Sequence, residues 1–130
     1  MISPEIKNTL IQDSDFRWEK VDDFCKRKVM AYNDQLMLVK VAFKKDGVGA
    51  LHHHPHLQIS YVTSGSFEVS IGEEKKILNG GDVYFVPSEE VHGVVCLEDG
   101  ELIDVFNPSK RPWINMNGAS TEKIIEITNK

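Results

Sequence analysis

Between residues 36 and 106 the chain runs in short stretches of alternating apolar and polar side chains, cut at intervals by glycine and charge. Leu36, Leu38, Val41 and Phe43 form one stretch, Ile59, Tyr61 and Val62 a second, and Phe67, Val69 and Ile71 a third. Lys75–Leu78, Asp82–Val86, Val91–Cys96 and Leu102–Phe106 continue the series, and Val29–Tyr32 adds an edge strand. A two-residue period puts neighbouring side chains on opposite faces of a strand. Turns are expected at Lys45-Asp46-Gly47, Ser64-Gly65-Ser66, Gly72-Glu73-Glu74, Asn79-Gly80-Gly81 and Glu98-Asp99-Gly100. Many short strands separated by turn signals predict an all-β sandwich or barrel.

The chain has 130 residues, the size of one domain, and residues 1–130 are read as a single unit. Its hydrophobic fraction of 41% suffices for a core without disulfides or structural metal, so a metal site here is free to be functional. The formal charge is -5, and no basic run offers itself to a phosphate backbone or an anionic membrane. Nucleic-acid and membrane roles are therefore not expected. Met1–Leu10 lack the apolar stretch of a secretory signal, and no window is long and apolar enough to span a bilayer. Cys25 and Cys96 are then expected as reduced thiols in a cytoplasmic protein. Residues 1–27 hold Phe16 and Trp18 among charges, with room for one short strand or a turn of helix. After Phe106, Pro108, Pro112, Asn115, Asn117 and Gly118 read as loop, and Ile124–Ile127 as a last strand or as a segment packed on a partner subunit.

All five histidines fall in two places: His52, His53, His54 and His56 in one tract around Pro55, and His92 alone. Imidazoles at this density are characteristic of metal sites, the alternative being an exposed polar loop or one satisfied core histidine. His52, His54 and Gln58 share one parity, His53 has the other, and His92 lies on a later strand that an antiparallel barrel can bring alongside. Imidazole-rich sites suit Zn, Ni, Fe or Cu, and the residues do not choose among these divalent ions.

These residues resemble the cupin superfamily. Its first motif is matched by Gly47, His52-His53-His54, Gln58 and Gly65, with a leading spacer one residue short and Gln58 in place of the usual acid. Its second is matched by Gly81, Pro87, His92 and Cys96, with Cys96 in place of asparagine. The resemblance implies a small jelly-roll barrel over about residues 28–108, with extensions at both ends, and a metal held by His52, His54, Gln58 and His92. Gln58 can ligate only through its carbonyl oxygen, or else it serves behind the ligands. With no carboxylate ligand the ion keeps its full charge and its Lewis acidity. His56 follows Pro55 and is either a substrate contact or a surface histidine. Cys96 is expected as a small buried thiol.

The likeness is closer to one subgroup. Gly49-Ala50-Leu51-His52, His54-Pro55-His56, Tyr61-Val62, His92-Gly93-Val94-Val95-Cys96-Leu97 and Asp104-Val105-Phe106 are similar to the pectin-degradation cupins of the KdgF type. Members of that group convert cyclic 4,5-unsaturated uronates, products of pectin and alginate lyases, into linear keto forms. The resemblance implies a catalytic Asp104, a substrate wall at Phe106, and a substrate carboxylate held at Lys110 or Arg111, where the group has arginine. Lysine lacks the bidentate fork of arginine.

That chemistry suits these residues. A ring-opened unsaturated uronate is an enol that must gain a proton on carbon. A Lewis-acidic ion stabilises a developing enolate, and a carboxyl group within reach moves the proton. Asp104 shares its parity with Leu102 and Phe106 on an otherwise apolar strand, where an acid is unusual unless it has a partner. The competing readings are another metal-dependent cupin, such as a dioxygenase or sugar isomerase, and a sugar- or metal-binding module. Ile103 and Val105 stand beside Leu102 and Phe106, so the strand is apolar on both faces. The outward set needs cover, and a homodimer is expected.

Overall fold

The computed structural model describes residues 9–107. A short 3-10 turn at Asp13–Asp15 precedes eight strands: β1 (Glu19–Asp22), β2 (Cys25–Tyr32), β3 (Met37–Phe43), β4 (Val48–His52), β5 (Leu57–Ile71), β6 (Glu74–Asn79), β7 (Val83–Val86) and β8 (His92–Asn107). Every pairing is antiparallel. The sheet runs β1-β2-β3-β8-β5-β6, with β4 on β8 and β7 on β5. The all-β expectation holds, and among the described residues no helix is long and apolar enough to cross a membrane. Lys110, Arg111, the proline-rich stretch and Ile124–Ile127 lie outside the described residues.

Two of the expected turns are not turns. Ser64-Gly65-Ser66 lies inside β5, and Glu98-Asp99-Gly100 lies inside β8. The two sites face each other, and the ladder slips register between Val62 and Phe67. Gly65 has φ +83°, and a Cβ there would lie 2.5 Å from the Asp99 carbonyl oxygen. A Cβ on Gly100 would in turn run into the Ser64 carbonyl. Glycine at a bulge and glycine at a turn leave the same mark on a sequence, and here both bend long strands without reversing them.

The slip also switches the inward parity of β5. Before Gly65 the buried residues are Gln58, Ser60 and Val62; after it they are Ser66, Phe67 and Val69, with the apolar pair on the odd positions. On β8 the even positions His92, Val94, Cys96, Leu102 and Phe106 stay inward. The turn at Gly72 is a real reversal, whereas that at Gly80-Gly81 only carries the chain from β6 to β7, both of which run antiparallel to β5. Gly72, at φ +58°, opens the two-residue link from Ile71 to Glu74, where a type II′ turn requires positive φ. The expected edge strand at Val29–Tyr32 begins earlier, at Cys25. Its first residues are covered by β1, which takes the edge position in the sheet.

The main core joins Phe43, Val62, Phe67, Val69, Tyr84, Val86, Val94, Cys96 and Leu102. Phe43 and Phe67 meet edge to face at 5.6 Å. A smaller cluster of Tyr32, Met37, Val39 and Phe106 fills the other end. Charge ties the N-terminal segment to this frame: buried Arg27 meets Glu19 at 2.8 Å, and Asp13 bridges Lys28 and Lys40. Outside the barrel, Phe85, Ile59, Val105 and Leu38 make one row across β7, β5, β8 and β3, and Val83, Tyr61, Ile103 and Lys40 the next. Ile59, Tyr61, Val83 and Phe85 are about half exposed.

Candidate metal centre

His52 ends β4 and pairs with His92 at the start of β8. His54 follows on the link to β5, and its carbonyl accepts the Glu89 N–H at 2.7 Å. Burial alternates from His52 to Ser60 straight through Pro55, so His52, His54, Gln58 and Ser60 all turn inward. The ring centroids of His52 and His92 are 4.1 Å apart, those of His54 and His92 4.8 Å, and those of His52 and His54 5.4 Å. One nitrogen from each of the three rings comes within 4.8 Å of the others.

The hydrogen bonds set the tautomers. Nδ1 of His52 lies 2.9 Å from the Ala50 carbonyl, Nδ1 of His54 2.9 Å from that of His56, and Nδ1 of His92 2.9 Å from that of Glu90. A carbonyl only accepts, so each Nδ1 carries the hydrogen and each Nε2 presents a lone pair. Backbone carbonyls behind imidazoles are the usual outer support of metal-bound histidine. Gln58 Oε1 stands 3.1 Å from His54 Nε2, which adds an oxygen donor to the nitrogens. Three imidazole nitrogens and an amide oxygen fit a divalent ion of borderline softness.

Behind the cluster runs a polar chain. Gln58 Nε2 donates to Ser60 Oγ at 2.9 Å, and Ser60 Oγ donates to Asp104 Oδ1 at 2.6 Å. Tyr84 also hydrogen-bonds Ser60. Burial, reinforced by the negative charge of Asp104, drives the Tyr84 phenol far above its ordinary pKa and keeps it protonated.

Asp104 is half-buried on the inward parity of β8. Phe106 meets the His54 ring edge to face at 6.0 Å and closes the smaller core from the other side. His56 is half-buried, its ring 5.7 Å from that of His54. His53 points outward, as its parity predicts, and meets Glu89 at 2.8 Å. Cys96 is fully buried, and its Sγ donates to the Glu98 carbonyl at 3.0 Å. The two motifs are stitched together there: Asp46 N–H donates to Cys96 O and Cys96 N–H to Gly47 O, each at 2.8 Å.

Ser60, Tyr84 and Glu89 are site residues that pattern alone does not single out. Ser60 carries one signal, a polar residue two positions after Gln58 on the same inward parity. Tyr84 reads as ordinary core. Glu89 holds φ +65°, which no pattern of residue types announces.

Comparison with known proteins gives the same picture. The Cupin_2 domain model matches residues 39–106. The pectin degradation protein KdgF of Dickeya dadantii (strain 3937) is 46% identical over 104 residues, covering 78% of this chain and 94% of that protein. The chain is a cupin of the KdgF family. Among solved structures, KdgF from a Halomonas species superposes with a TM-score of 0.78 at 36% identity, covering 82% of this chain and 98% of the other. An RmlC-like cupin from Shewanella frigidimarina superposes at 0.79 and 36%, with 82% and 96% covered. The three histidines of this KdgF-family chain thus sit in a barrel of established type.

Proposed function

We propose that this KdgF-family cupin is a metal-dependent enzyme of pectin or alginate breakdown that converts 4,5-unsaturated uronates to their linear keto forms. The observation that carries the reading is the hydrogen-bonded chain from Gln58 through Ser60 to Asp104, which starts 3.1 Å from His54 Nε2 and ties a donor cluster without carboxylates to one carboxylate. The 46% identity to a pectin degradation protein supplies the substrate class.

His52, His54, Gln58 and His92 would hold one divalent ion, Zn, Ni, Fe or Cu. When bound, that ion supplies Lewis acidity toward the substrate oxygens. The chain's own residues do the rest. The net change is an isomerisation: the enol oxygen gives up one proton and a carbon gains one, with no oxidant or reductant. Asp104 is assigned the proton transfer. Its Oδ1 accepts from the Ser60 hydroxyl, which orients the carboxyl group for that role. Phe106 walls the site beside His54 and limits water at the reacting carbon. His56 borders the same space, and Lys110 or Arg111 pairs with the substrate carboxylate. Cys25 and Cys96 are both thiols, consistent with a cytoplasmic setting. The apolar rows on β7, β5, β8 and β3 are the surface of a homodimer in this reading.

The test is turnover. Metal-loaded protein should speed the loss of the unsaturated-uronate chromophore. Asp104→Asn should lower that rate by about 100-fold or more, the share of a positioned proton transfer, while metal stays bound. A rate equal to the spontaneous one with loaded wild-type protein rejects the reading.

A further inference from the structure

The side-chain amide of a buried glutamine has two ends of nearly equal shape and opposite character, and only the oxygen can ligate a metal. Which end faces His54 is therefore decided by what holds the other end.

We propose that Ser60 is a positioning residue of the metal centre: its hydroxyl dictates that Gln58 presents Oε1 to the histidines, and it holds Asp104 on the same hydrogen-bonded chain. The inference rests on reading Gln58 as a ligand. Ser60 lies opposite Asp104 on β8 and opposite Tyr84 on β7, so three strands deliver the three side chains to one row of the inner face. Oγ is 2.6 Å from Asp104 Oδ1. A carboxylate only accepts, so the single hydroxyl proton of Ser60 goes there. A lone pair of Oγ then takes the Gln58 Nε2 donor, at 2.9 Å. Turning the amide over would set its carbonyl against an oxygen with no proton left to give. It would also withdraw the oxygen ligand and present the metal with N–H groups, which cannot ligate it. Removing the hydroxyl removes the first of these penalties, and the amide loses its fixed sense.

The experiment is Co²⁺ binding, followed by competition titration and by visible absorption, on wild type and the variants Ser60→Ala, Ser60→Thr, Gln58→Ala and the double variant Gln58→Ala/Ser60→Ala. Ser60→Ala should weaken binding on the order of 10–100-fold, the usual cost of losing the support behind a metal ligand, and should alter the absorption. Ser60→Thr, which keeps the hydroxyl, should bind as wild type. In the Gln58→Ala background, deleting the hydroxyl should cost nothing more. Unchanged affinity in Ser60→Ala, or an equal loss with and without Gln58, overturns the proposal and leaves the metal centre standing. Gln58→Ala binding as tightly as wild type overturns both.

A second measurement needs no variant to fold. The chain has three glutamines, and Gln12 and Gln35 are exposed. With 15N-labelled glutamine, the Gln58 side-chain amide should exchange with solvent far more slowly than the other two. Equal exchange overturns the proposal.

Discussion

His54 Nε2 and Gln58 Oε1 stand 3.1 Å apart, acceptor facing acceptor. The His54 ring cannot relieve the contact by moving its hydrogen, because Nδ1 is committed to the His56 carbonyl. Gln58 cannot relieve it by turning over, because Nε2 is committed to Ser60. A cation between the two atoms removes the conflict, and a divalent ion shared with His52 and His92 does so for the whole cluster.

Metal should therefore stabilise the fold. At a free concentration a hundredfold above its Kd, a divalent ion adds about 2.7 kcal/mol, read as a rise in the thermal midpoint that a chelator reverses. His54→Ala should erase most of that rise. A midpoint indifferent to Zn²⁺, Ni²⁺ and chelator alike contradicts the site.

Gly65→Ala should cost about 2–5 kcal/mol, the sum of left-handed strain and of crowding against a neighbouring backbone. The added Cβ meets the carbonyls of Asp99 and Glu98, which belong to β8 and cannot rotate away. Gly81→Ala has positive φ but open space around it, so it should cost less. Urea midpoints of the two variants give the comparison.

Burial, with the charges of Asp22 and Asp104, pushes the Cys25 thiol from an ordinary 9.0 up to about 12. The folded chain holds this proton more tightly than the unfolded chain does. The contribution to stability is thus fully present below pH 9 and is lost as pH rises toward about 12. Stability measured against pH should fall above pH 9, and Cys25→Ala should flatten part of that slope. The native thiol should also resist alkylation at neutral pH, while urea-unfolded chain reacts at once.

Ile59 sits at the centre of the outward apolar row, between Phe85 and Val105. If a second copy covers that row, Ile59→Lys should turn a dimer into a monomer in sedimentation velocity and leave Co²⁺ binding intact. Wild-type protein that sediments as a monomer at working concentration removes the dimer from the reading.

Much of the metal centre is legible in the residues themselves. Ligand parity survives Pro55 because burial keeps alternating through the link, and the tandem of His52 and His54 with a later His92 has few other uses. The proton-transfer candidate Asp104 is legible for a different reason: an acid on an inward strand needs a partner. That partner, Ser60, is not legible, because a serine on a strand carries no mark of which cross-strand neighbour it meets.

Strand content, the punctuation by glycine, the inward histidines and the apolar outer rows follow from local pattern, since period and residue type act within a few residues. Whether Gly65 and Gly100 reverse the chain or only bend it depends on their meeting each other, thirty-five positions apart in the sequence. The sense of the Gln58 amide likewise depends on a proton that Ser60 gives to Asp104 on another strand. Both are decided by contacts between distant segments, and such contacts exist only once the barrel has closed.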